Sequence, residues 1–488
     1  MGLHKPMRLH KPMGRHRGDR RANTEWAPPQ PYPVGVPGRP WFGLYCGDRG
    51  ALETWCGPEA SLLLLGPPRS GKTTSVVVPC VLDAPAAVVS TSTKPDVLMA
   101  SAPWRWMKGN CFVFDPSGQT PVPDGMAELR WSPVTGCNIF ERAVGTAHAL
   151  ASAARPQGHV SEAAHWVERA EALLAPMLFA AAAKGAPMAT VCRWVLARDL
   201  REPEAVLDAL GHEMATAVLA GVAATEDRER SGIFSTASGL LAAYRSEAAL
   251  RSAVDPNFDP RSFATSTDTV YICAPAHAQE QLAPLIVCFL EQISQAVFAR
   301  PTGASPVVFA LDEVANIAPL PSLPALAAEG GGQGLVVLAC LQDLSQARAR
   351  WGAQAEGFFS IFNHKLIYPG IGDHKTLSLV SAIAGEVAVP VYTRTQGSTS
   401  GWKHSSSSHS LSKSFTFRPR LPLGAITNAR PGTALRVSAG TLRWVAVRPW
   451  WAHPRWSATA GTSVRPVWTE ALRPLPHTAN PALPEKGA

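Results

Sequence analysis

The chain has 488 residues, of which 46% are hydrophobic and 17% are charged, a composition typical of a globular protein rather than a disordered one. No stretch approaches the ~18 consecutive apolar residues of a membrane helix, and the basic start lacks the apolar core of a secretory signal peptide. Because one ordinary core holds ~100–200 residues, the length predicts a large domain with an insertion or a second domain.

Charge and cysteine usage indicate the compartment and the kind of partner. The nine cysteines contain no CxxC pair and no Cys/His cluster at zinc spacing, which predicts reduced, mostly buried thiols in a cytosolic protein. The net charge of +8 divides into +5 for residues 1–25, +10 for residues 401–488 and −7 between them. Contacts with nucleic acid or anionic lipid are therefore expected from particular segments, although solvated tails would show the same charge pattern.

The apolar runs predict a parallel sheet. Residues 1–55 are predicted to form a basic, Pro-rich flexible arm. Buried strands are then predicted at SLLLL (61), AAVVS (86), CFVFD (111), TVYIC (269), VVFALD (307), LVVLACLQ (335) and KLIYPG (365). Continuous Val/Ile/Leu runs that alternate with helical segments are typical of an α/β fold with a doubly wound, mostly parallel sheet.

The remaining segments complete the predicted organisation. Residues 141–255 are Ala-rich with helical spacing and are predicted to form an all-helical insertion domain. It divides the main domain, predicted to bind nucleotide, into residues 56–140 and 256–455. The Ser-rich run 396–414 is predicted to be a mobile loop. A hairpin is expected around Ser438 to Thr441, and residues 456–488 are expected to form a C-terminal tail.

The segment GPPRSGKTT matches the phosphate-binding P-loop at every fixed position and lies between a predicted strand and a predicted helix. Backbone amides at a helix N-terminus would hold the β-phosphate of ATP. Lys72 would reach the β and γ oxygens, and the Thr73 hydroxyl would ligate Mg²⁺. The predicted nucleotide-binding residues are Gly66, Pro67, Pro68, Arg69, Ser70, Gly71, Lys72, Thr73 and Thr74.

Two further strand ends supply polar candidates. Asp312 and Glu313 end VVFALDE, so Asp312 is predicted to hold the magnesium shell and Glu313 to polarise the attacking water. The alternative is that this acidic pair caps the next helix, with Asn316 nearby. Gln342 ends LVVLACLQ and is predicted to sense the γ-phosphate; a simple hydrogen bond at the strand end is the alternative.

Together these segments resemble the type IV coupling proteins, the TraG/TraD-type ATPases of bacterial conjugation and type IV secretion. The resemblance runs from about Cys56 to Trp451 and also includes VVSTSTKPDVL, FVFDPSG, LQDLSQARARWG and RPRLPLGAI. It implies a RecA-like domain of the FtsK/HerA branch that carries a helical insertion, assembles as a hexamer and uses ATP to move DNA. The implied partners are a relaxase or relaxosome and a secretion-channel ATPase or membrane anchor protein.

Two departures from the family pattern affect the interpretation. Such proteins begin with transmembrane helices, whereas no such segment is predicted here, so peripheral docking at the inner face of the cell membrane would need a partner or the basic arm. Many relatives also carry a trans-acting arginine in the turn that here reads EGGGQG. Arg348 and Arg350 are candidate substitutes, although an exposed basic helix face explains them equally well.

Three functions are therefore weighed. The leading hypothesis is an ATP-driven DNA translocase or coupling ATPase that recruits DNA or a DNA–protein substrate to a secretion channel. The first alternative is a substrate-recruitment protein in which bound nucleotide acts as a structural switch, with little or no productive hydrolysis. The second is a secretion ATPase whose substrates are only proteins, and the absence of salt-sensitive DNA binding would favour it.

Overall fold

The computed structural model describes residues 41–152, 161–301, 303–401 and 404–461. The predicted basic arm up to residue 40 and the tail beyond residue 461 lie outside this part. Twelve of the fourteen strands form one sheet, and the other two form a separate ribbon. The strands are β1 (Tyr45–Arg49), β2 (Leu52–Trp55), β3 (Leu62–Leu65), β4 (Val88–Ser92), β5 (Cys111–Phe114), β6 (Ala127–Glu128), β7 (Thr269–Cys273), β8 (Val307–Leu311), β9 (Leu335–Leu341), β10 (His364–Ile367), β11 (Glu386–Gly401), β12 (His404–Pro419), β13 (Thr433–Ser438) and β14 (Thr441–Ala446).

The order of the large sheet is β2-β1-β14-β13-β10-β3-β9-β8-β4-β7-β5-β6. All neighbours from β10 to β6 are parallel, and the strands from β13 to β2 pair antiparallel. Each of the seven predicted strands lies in the parallel part. The predicted α/β fold with a mostly parallel sheet is therefore confirmed, as is the hairpin between Ser438 and Thr441.

Helices cover both faces of the sheet. They are α1 (Val78–Asp83), α2 (Asp96–Trp106), α3 (Phe140–Ser152), α4 (Ser161–Lys184), α5 (Met188–Ala197), α6 (Arg201–Leu210), α7 (Glu213–Ala223), α8 (Asp227–Leu240), α9 (Glu247–Arg251), α10 (Pro260–Ala264), α11 (Gln279–Phe298), α12 (Val314–Ile317), α13 (Leu323–Glu329), α14 (Leu344–Trp351), α15 (Phe358–Ile361), α16 (His374–Ala384), α17 (Leu423–Thr427) and α18 (Pro454–Gly461).

Two hydrophobic clusters divide between the faces because successive strand residues point in opposite directions. In β3, Leu62 and Leu64 pack with the helices α1 and α2. Leu63 and Leu65 belong to the larger cluster, which also contains residues of α11 and of the helices α3 to α8. All four leucines are fully buried, and this burial on both faces explains why the strand is a continuous apolar run instead of an alternating one.

The helices α3 to α10 lie between β6 and β7, in the segment for which the sequence predicts an insertion. They pack on the body of the domain where α3 and α10 contact α11. By length and mean hydropathy α11 could cross a membrane, but 61% of its most apolar window is buried in the protein. A helix buried between a sheet and other helices passes the same test, so α11 is weak evidence for a membrane span.

The predicted boundaries of the main domain, at residues 56 and 455, both lie too far inward. Residues 41–55, assigned to the flexible arm, contain β1 and β2 and belong to the sheet. At the other end, Trp456 was assigned to the tail but is 1% exposed and packs edge-on against Tyr45. The two errors have one physical reason, because the aromatic residues of the two segments pack against each other within one hydrophobic cluster.

The predicted loop at 396–414 is also wrong. β11 and β12 pair antiparallel from Glu386 with Pro419 to Gly401 with His404, so residues 396–401 and 404–414 form the outer part of a two-stranded ribbon. A Ser-rich composition alone predicts a flexible segment. The flanking VAVPVYT and SLSKSFTF, however, alternate with the period of a strand and set a register that continues through the serines.

Candidate nucleotide site

The candidate site lies at the edge of the sheet where neighbouring parallel strands end. Leu65, the last residue of β3, pairs with Leu341 of β9 on one side and with Ile367 of β10 on the other. The end of β8 lies beside β9, and the end of β4 lies beside β8. The residues that follow these strands therefore meet at one edge, which is where ligands bind in open α/β sheets.

The P-loop adopts the folded turn that its sequence predicts. Arg69 and Gly71 have positive φ values of 63° and 94°, and Lys72 begins the helical conformation. For Arg69 a left-handed conformation costs on the order of 1–2 kcal/mol. Alternation of right- and left-handed residues forms a concave backbone that binds anions. The Ser75 amide donates to the Gly71 carbonyl at 2.9 Å and fixes the loop to the following helix.

The side chains of this loop fit a phosphate ligand. The Lys72 ammonium is buried inside the loop, where it donates to the carbonyls of Gly66 and Pro67. The Ser70 hydroxyl is also buried and has no hydrogen-bond partner among the described residues. A buried ammonium and an unpaired buried hydroxyl in one concave loop are the donors that phosphate oxygens satisfy.

The loop and the end of β8 are joined by one hydrogen bond. The Thr73 hydroxyl donates to Asp312 Oδ2 at 2.5 Å, although 239 residues separate the two in sequence. The Thr91 hydroxyl, from β4, donates to the Asp312 carbonyl at 2.7 Å and holds the strand end in place. A hydroxyl and a carboxylate in contact offer the hard oxygen ligands that Mg²⁺ prefers, so the donor set fits that ion.

Glu313 follows Asp312 in the left-handed region, with φ 52° and ψ 43°. It occupies the N-cap position of α12, but its side chain makes no capping hydrogen bond. Asn316 Nδ2 donates to Glu313 Oε2 at 3.4 Å instead. The capping alternative therefore does not describe Glu313, and strained backbone of this kind is concentrated at functional sites.

Burial raises the pKa of both carboxyl groups above its usual value. For Asp312 the Thr73 hydrogen bond and the Lys72 ammonium oppose this effect. For Glu313 the neighbouring Asp312 carboxylate raises the pKa further, and Lys72 lowers it. A raised pKa makes a carboxylate a stronger proton acceptor than it would be in water, as general-base chemistry requires.

Gln342 lies beside the P-loop, because the Gly66 amide donates to the Leu341 carbonyl at 3.2 Å. Its backbone amide donates to Gln346 Oε1, in α14, at 2.8 Å. Gln342 therefore follows a strand that is joined to the P-loop. The sensor role itself stays a prediction.

Sequence reasoning missed the loop after β10. The Tyr368 hydroxyl lies 3.0 Å from Ser75 Oγ in the interior, and a Cβ added to Gly66 would lie 2.7 Å from Tyr368 Cβ. Gly370, with φ 89°, approaches the Pro67 ring. The loop after β10 therefore packs against the P-loop and supports it. The one signal in the sequence is the aromatic and glycine that follow the KLI strand.

The two candidate arginines occupy different environments. Arg348 pairs with Asp373 at 2.7 Å in a half-buried contact, whereas Arg350 is exposed. In the EGGGQG turn, a Cβ on Gly331 would lie 1.8 Å from the Glu59 carbonyl oxygen, so this position excludes any side chain. Arg348 thus has a structural partner within the chain.

A buried cluster at the opposite end of β10 fits a metal poorly. Cys46, Cys56 and His364 place their ligand atoms within 4.8 Å of one another. The two sulfur atoms are only 2.8 Å apart, closer than two thiolates on one tetrahedral ion, and Arg436 donates to His364 Nδ1. Burial, followed by the Arg436 charge, lowers the pKa of His364 to about 4. All nine cysteines are buried and free, as the sequence predicts.

Comparison with known families identifies the chain. Residues 33–421 match the family described as Type IV secretory system Conjugative DNA transfer. The chain belongs to this family. Among curated relatives, the conjugal transfer protein TraG of Escherichia coli is 26% identical over an alignment of 323 residues, and the match covers 60% of this chain. The chain spans about half the length of that relative, because the match covers 50% of it.

Solved structures agree on the fold of this family member. The unbound coupling protein TrwBdeltaN70 has a TM-score of 0.62 at 18% identity and covers 85% of this chain and 96% of its own. TrwB in complex with ADP and Mg²⁺ has a TM-score of 0.60 at 18% identity, over 80% of this chain and 86% of its own. The resemblance to coupling proteins inferred from the sequence motifs is confirmed.

Proposed function

We propose that this protein is an ATPase that couples hydrolysis to the recruitment and translocation of DNA into a conjugation channel. The observation that carries the proposal is the contact between Thr73 and Asp312, which brings the P-loop and the acidic strand end into one site. Membership of the conjugative DNA transfer family supplies the substrate class. TrwB, a structural relative, is known in complex with ADP and Mg²⁺.

Each side chain then has a defined task. Lys72 would leave the loop carbonyls to bind the β and γ oxygens of ATP, and Thr73 and Asp312 would hold Mg²⁺. The ion, when bound, neutralises the charge that develops on the phosphates. Glu313 accepts the proton of the attacking water, and its raised pKa suits that task. Gln342 follows the adjacent strand β9 and would respond to loss of the γ-phosphate.

The assembly and partners belong to the same proposal. A hexameric ring would place the DNA in its pore, and a relaxase with its relaxosome would deliver the strand. Docking at the inner face of the cell membrane would use a channel ATPase or an anchor protein.

A second candidate function is nucleotide-switched recruitment with little hydrolysis. The observation that favours it is the EGGGQG turn, where Gly331 packs against Glu59 and leaves no space for an arginine. Arg348 is held by Asp373. An arginine finger contributes on the order of 10³–10⁵ in rate, so turnover would be slow unless Arg350 or another group replaces it.

Steady-state ATP hydrolysis with and without single- and double-stranded DNA distinguishes these functions. The motor function predicts that DNA stimulates the rate and that Lys72→Ala and Glu313→Gln each reduce it by about 10²-fold or more. Lys375→Ala and Glu141→Gln, at exposed positions, serve as matched controls. A parent protein that binds ATP but turns over no faster than Glu313→Gln would support the switch. DNA-independent hydrolysis without DNA binding would support a secretion ATPase for proteins.

A further inference from the structure

The ribbon formed by β11 and β12 extends away from the domain. Each strand has 16 residues, which corresponds to about 50 Å at ~3.3 Å per residue. Its base is joined to α16, where the Arg420 amide donates to the Gly385 carbonyl and Ser381 donates to the Leu421 carbonyl. A two-stranded ribbon is at best marginally stable in water, so an arm of this length gains stability by lying against another molecule.

The strand register gives the ribbon two different faces. Two residues that pair directly across antiparallel strands lie on the same face, and residues two positions apart in one strand also share a face. Tyr392 pairs with Lys413, and Arg394 pairs with Leu411. We call the surface formed by Tyr392, Arg394, Leu411, Lys413, Phe415 and Phe417 the aromatic face. The opposite surface, which we call the hydroxyl face, contains Thr393, Ser412, Ser414 and Thr416.

Three rings on the aromatic face are open to solvent. Tyr392 is 58% exposed, Phe415 59% and Phe417 66%. The Lys413 ammonium lies between two of them, 5.8 Å from the centre of the Tyr392 ring and 5.2 Å from that of Phe415. Exposed rings that alternate with a cation form a platform on which bases stack while the phosphates are neutralised.

Charge distinguishes this surface from an ordinary protein interface. Residues 386–420 contain five lysines and arginines and one acidic residue, Glu386 at the base of the ribbon. Lysine is depleted from the cores of protein interfaces, yet Lys413 occupies the centre of the aromatic face. The occupant that satisfies both the rings and the cations is a polyanion with flat, stackable groups.

We infer that the aromatic face of the ribbon is a contact surface for a single strand of DNA, separate from the nucleotide site. Bases stack on Tyr392, Phe415 and Phe417, and Lys413 and Arg394 contact the phosphates between them. The choice of DNA rests on the proposed function. The preference for an unpaired strand rests on the exposed rings, because the bases of an intact duplex are paired and stacked and cannot stack on these rings. The hydroxyl face does not take part in binding.

The test is fluorescence anisotropy of the full chain with a fluorescein-labelled oligothymidylate and with a duplex, over a range of salt concentrations. Tyr392→Ala combined with Phe415→Ala is expected to weaken single-strand binding at least about tenfold, because each stacked base contributes on the order of 5- to 150-fold. Lys413→Gln is expected to make the slope of log K against log salt shallower by about 0.7. Thr393→Ala combined with Thr416→Ala, on the hydroxyl face, is the matched control.

Two further measurements separate the possible failures. Hydrolysis without DNA should be unchanged in all of these variants, which shows that the domain and its nucleotide site remain folded. If the parent binds the strand and the aromatic variant binds it equally well, the ribbon inference is wrong and the proposed function stands. If the parent binds no DNA, both are overturned. If mass photometry shows that the aromatic variant loses its oligomeric state, the face is an interface between copies of the chain.

Discussion

The P-loop edge of the sheet and the β11–β12 ribbon are stabilised in opposite ways. At the P-loop edge, Asp312 is held by the hydroxyls of Thr73 and Thr91, which are 239 and 221 residues away in sequence, and the Lys72 ammonium is held by carbonyls of its own loop. On the ribbon, the described side chains are mostly exposed, and the strands depend chiefly on each other. Equivalent substitutions in the two regions should therefore have very different effects, and the same residue type can be compared in both.

The largest difference is expected between a buried arginine of the main domain, at the sheet edge opposite the P-loop, and an arginine of the ribbon. Arg105 is fully buried, and Arg105→Met should lower the free energy of unfolding by about 3 kcal/mol because several buried acceptors lose their donor. Arg394→Met, on the ribbon, should change it by less than ~0.5 kcal/mol. The acceptors of Arg105 are Thr269 Oγ1 and the carbonyls of Ala84, Ala86 and Thr267. Urea denaturation measures both variants, and similar losses would contradict the comparison.

Glycine substitutions test how tightly the P-loop edge is packed. Gly66→Ala should weaken ATP binding at least about tenfold, or ~1.4 kcal/mol, because its Cβ would lie 2.7 Å from Tyr368 Cβ. Gly372→Ala, in the loop after β10, meets no atom within 4 Å and should bind normally. Titration with a fluorescent ATP analogue measures both. Normal binding by Gly66→Ala would show that the Tyr368 loop can move away from the P-loop.

Tyrosine hydroxyls offer a smaller contrast. Tyr368→Phe removes a buried hydrogen bond to Ser75 and should cost about 1 kcal/mol of unfolding free energy. Tyr392→Phe, on the exposed aromatic face, should cost nothing measurable and should keep single-strand binding, because the ring remains. Thermal or urea unfolding of the two variants checks the first statement, and anisotropy checks the second.

The smallest effect is the pH dependence of Glu313. Burial holds the pKa of Glu313 in the folded protein above the ordinary glutamate value of 4.5. Ionisation of this carboxyl group therefore opposes folding once the pH exceeds 4.5, and this destabilisation is absent at lower pH. Glu313→Gln should therefore be more stable than the parent at neutral pH, and this gain should vanish as the pH falls towards 4.5. Urea unfolding at several pH values tests the sign. A loss of stability at neutral pH would mean that the carboxylate has a favourable partner.

The motifs of the P-loop edge were predictable because each is local. The glycines, Lys72 and Thr73 form one turn between a strand and a helix, and a buried apolar run ending in Asp312 and Glu313 indicates a strand end. The roles of these residues stay predictions, but the structure brings them together as expected. The helix-capping alternative for Glu313 required the backbone and side-chain geometry to exclude it.

Features that join distant segments were not predictable in this way. The pairing of β1 with β14 connects the start of the described chain to its end, and Trp456 packs against Tyr45 and Trp55 from that start. Tyr368 supports the P-loop because β10 pairs with β3. The ribbon was predicted as a loop because serine-rich composition was given more weight than the alternation of its flanks.

The sequence by itself determined the α/β class, the phosphate-binding turn and the family, because continuous apolar runs and a fixed glycine–lysine spacing act over a few residues. Tertiary structure decided which strand ends meet, that Arg348 pairs with Asp373, and that one face of the ribbon carries three exposed rings. Register and strand order depend on burial shared between segments hundreds of residues apart, and no local pattern records that sharing.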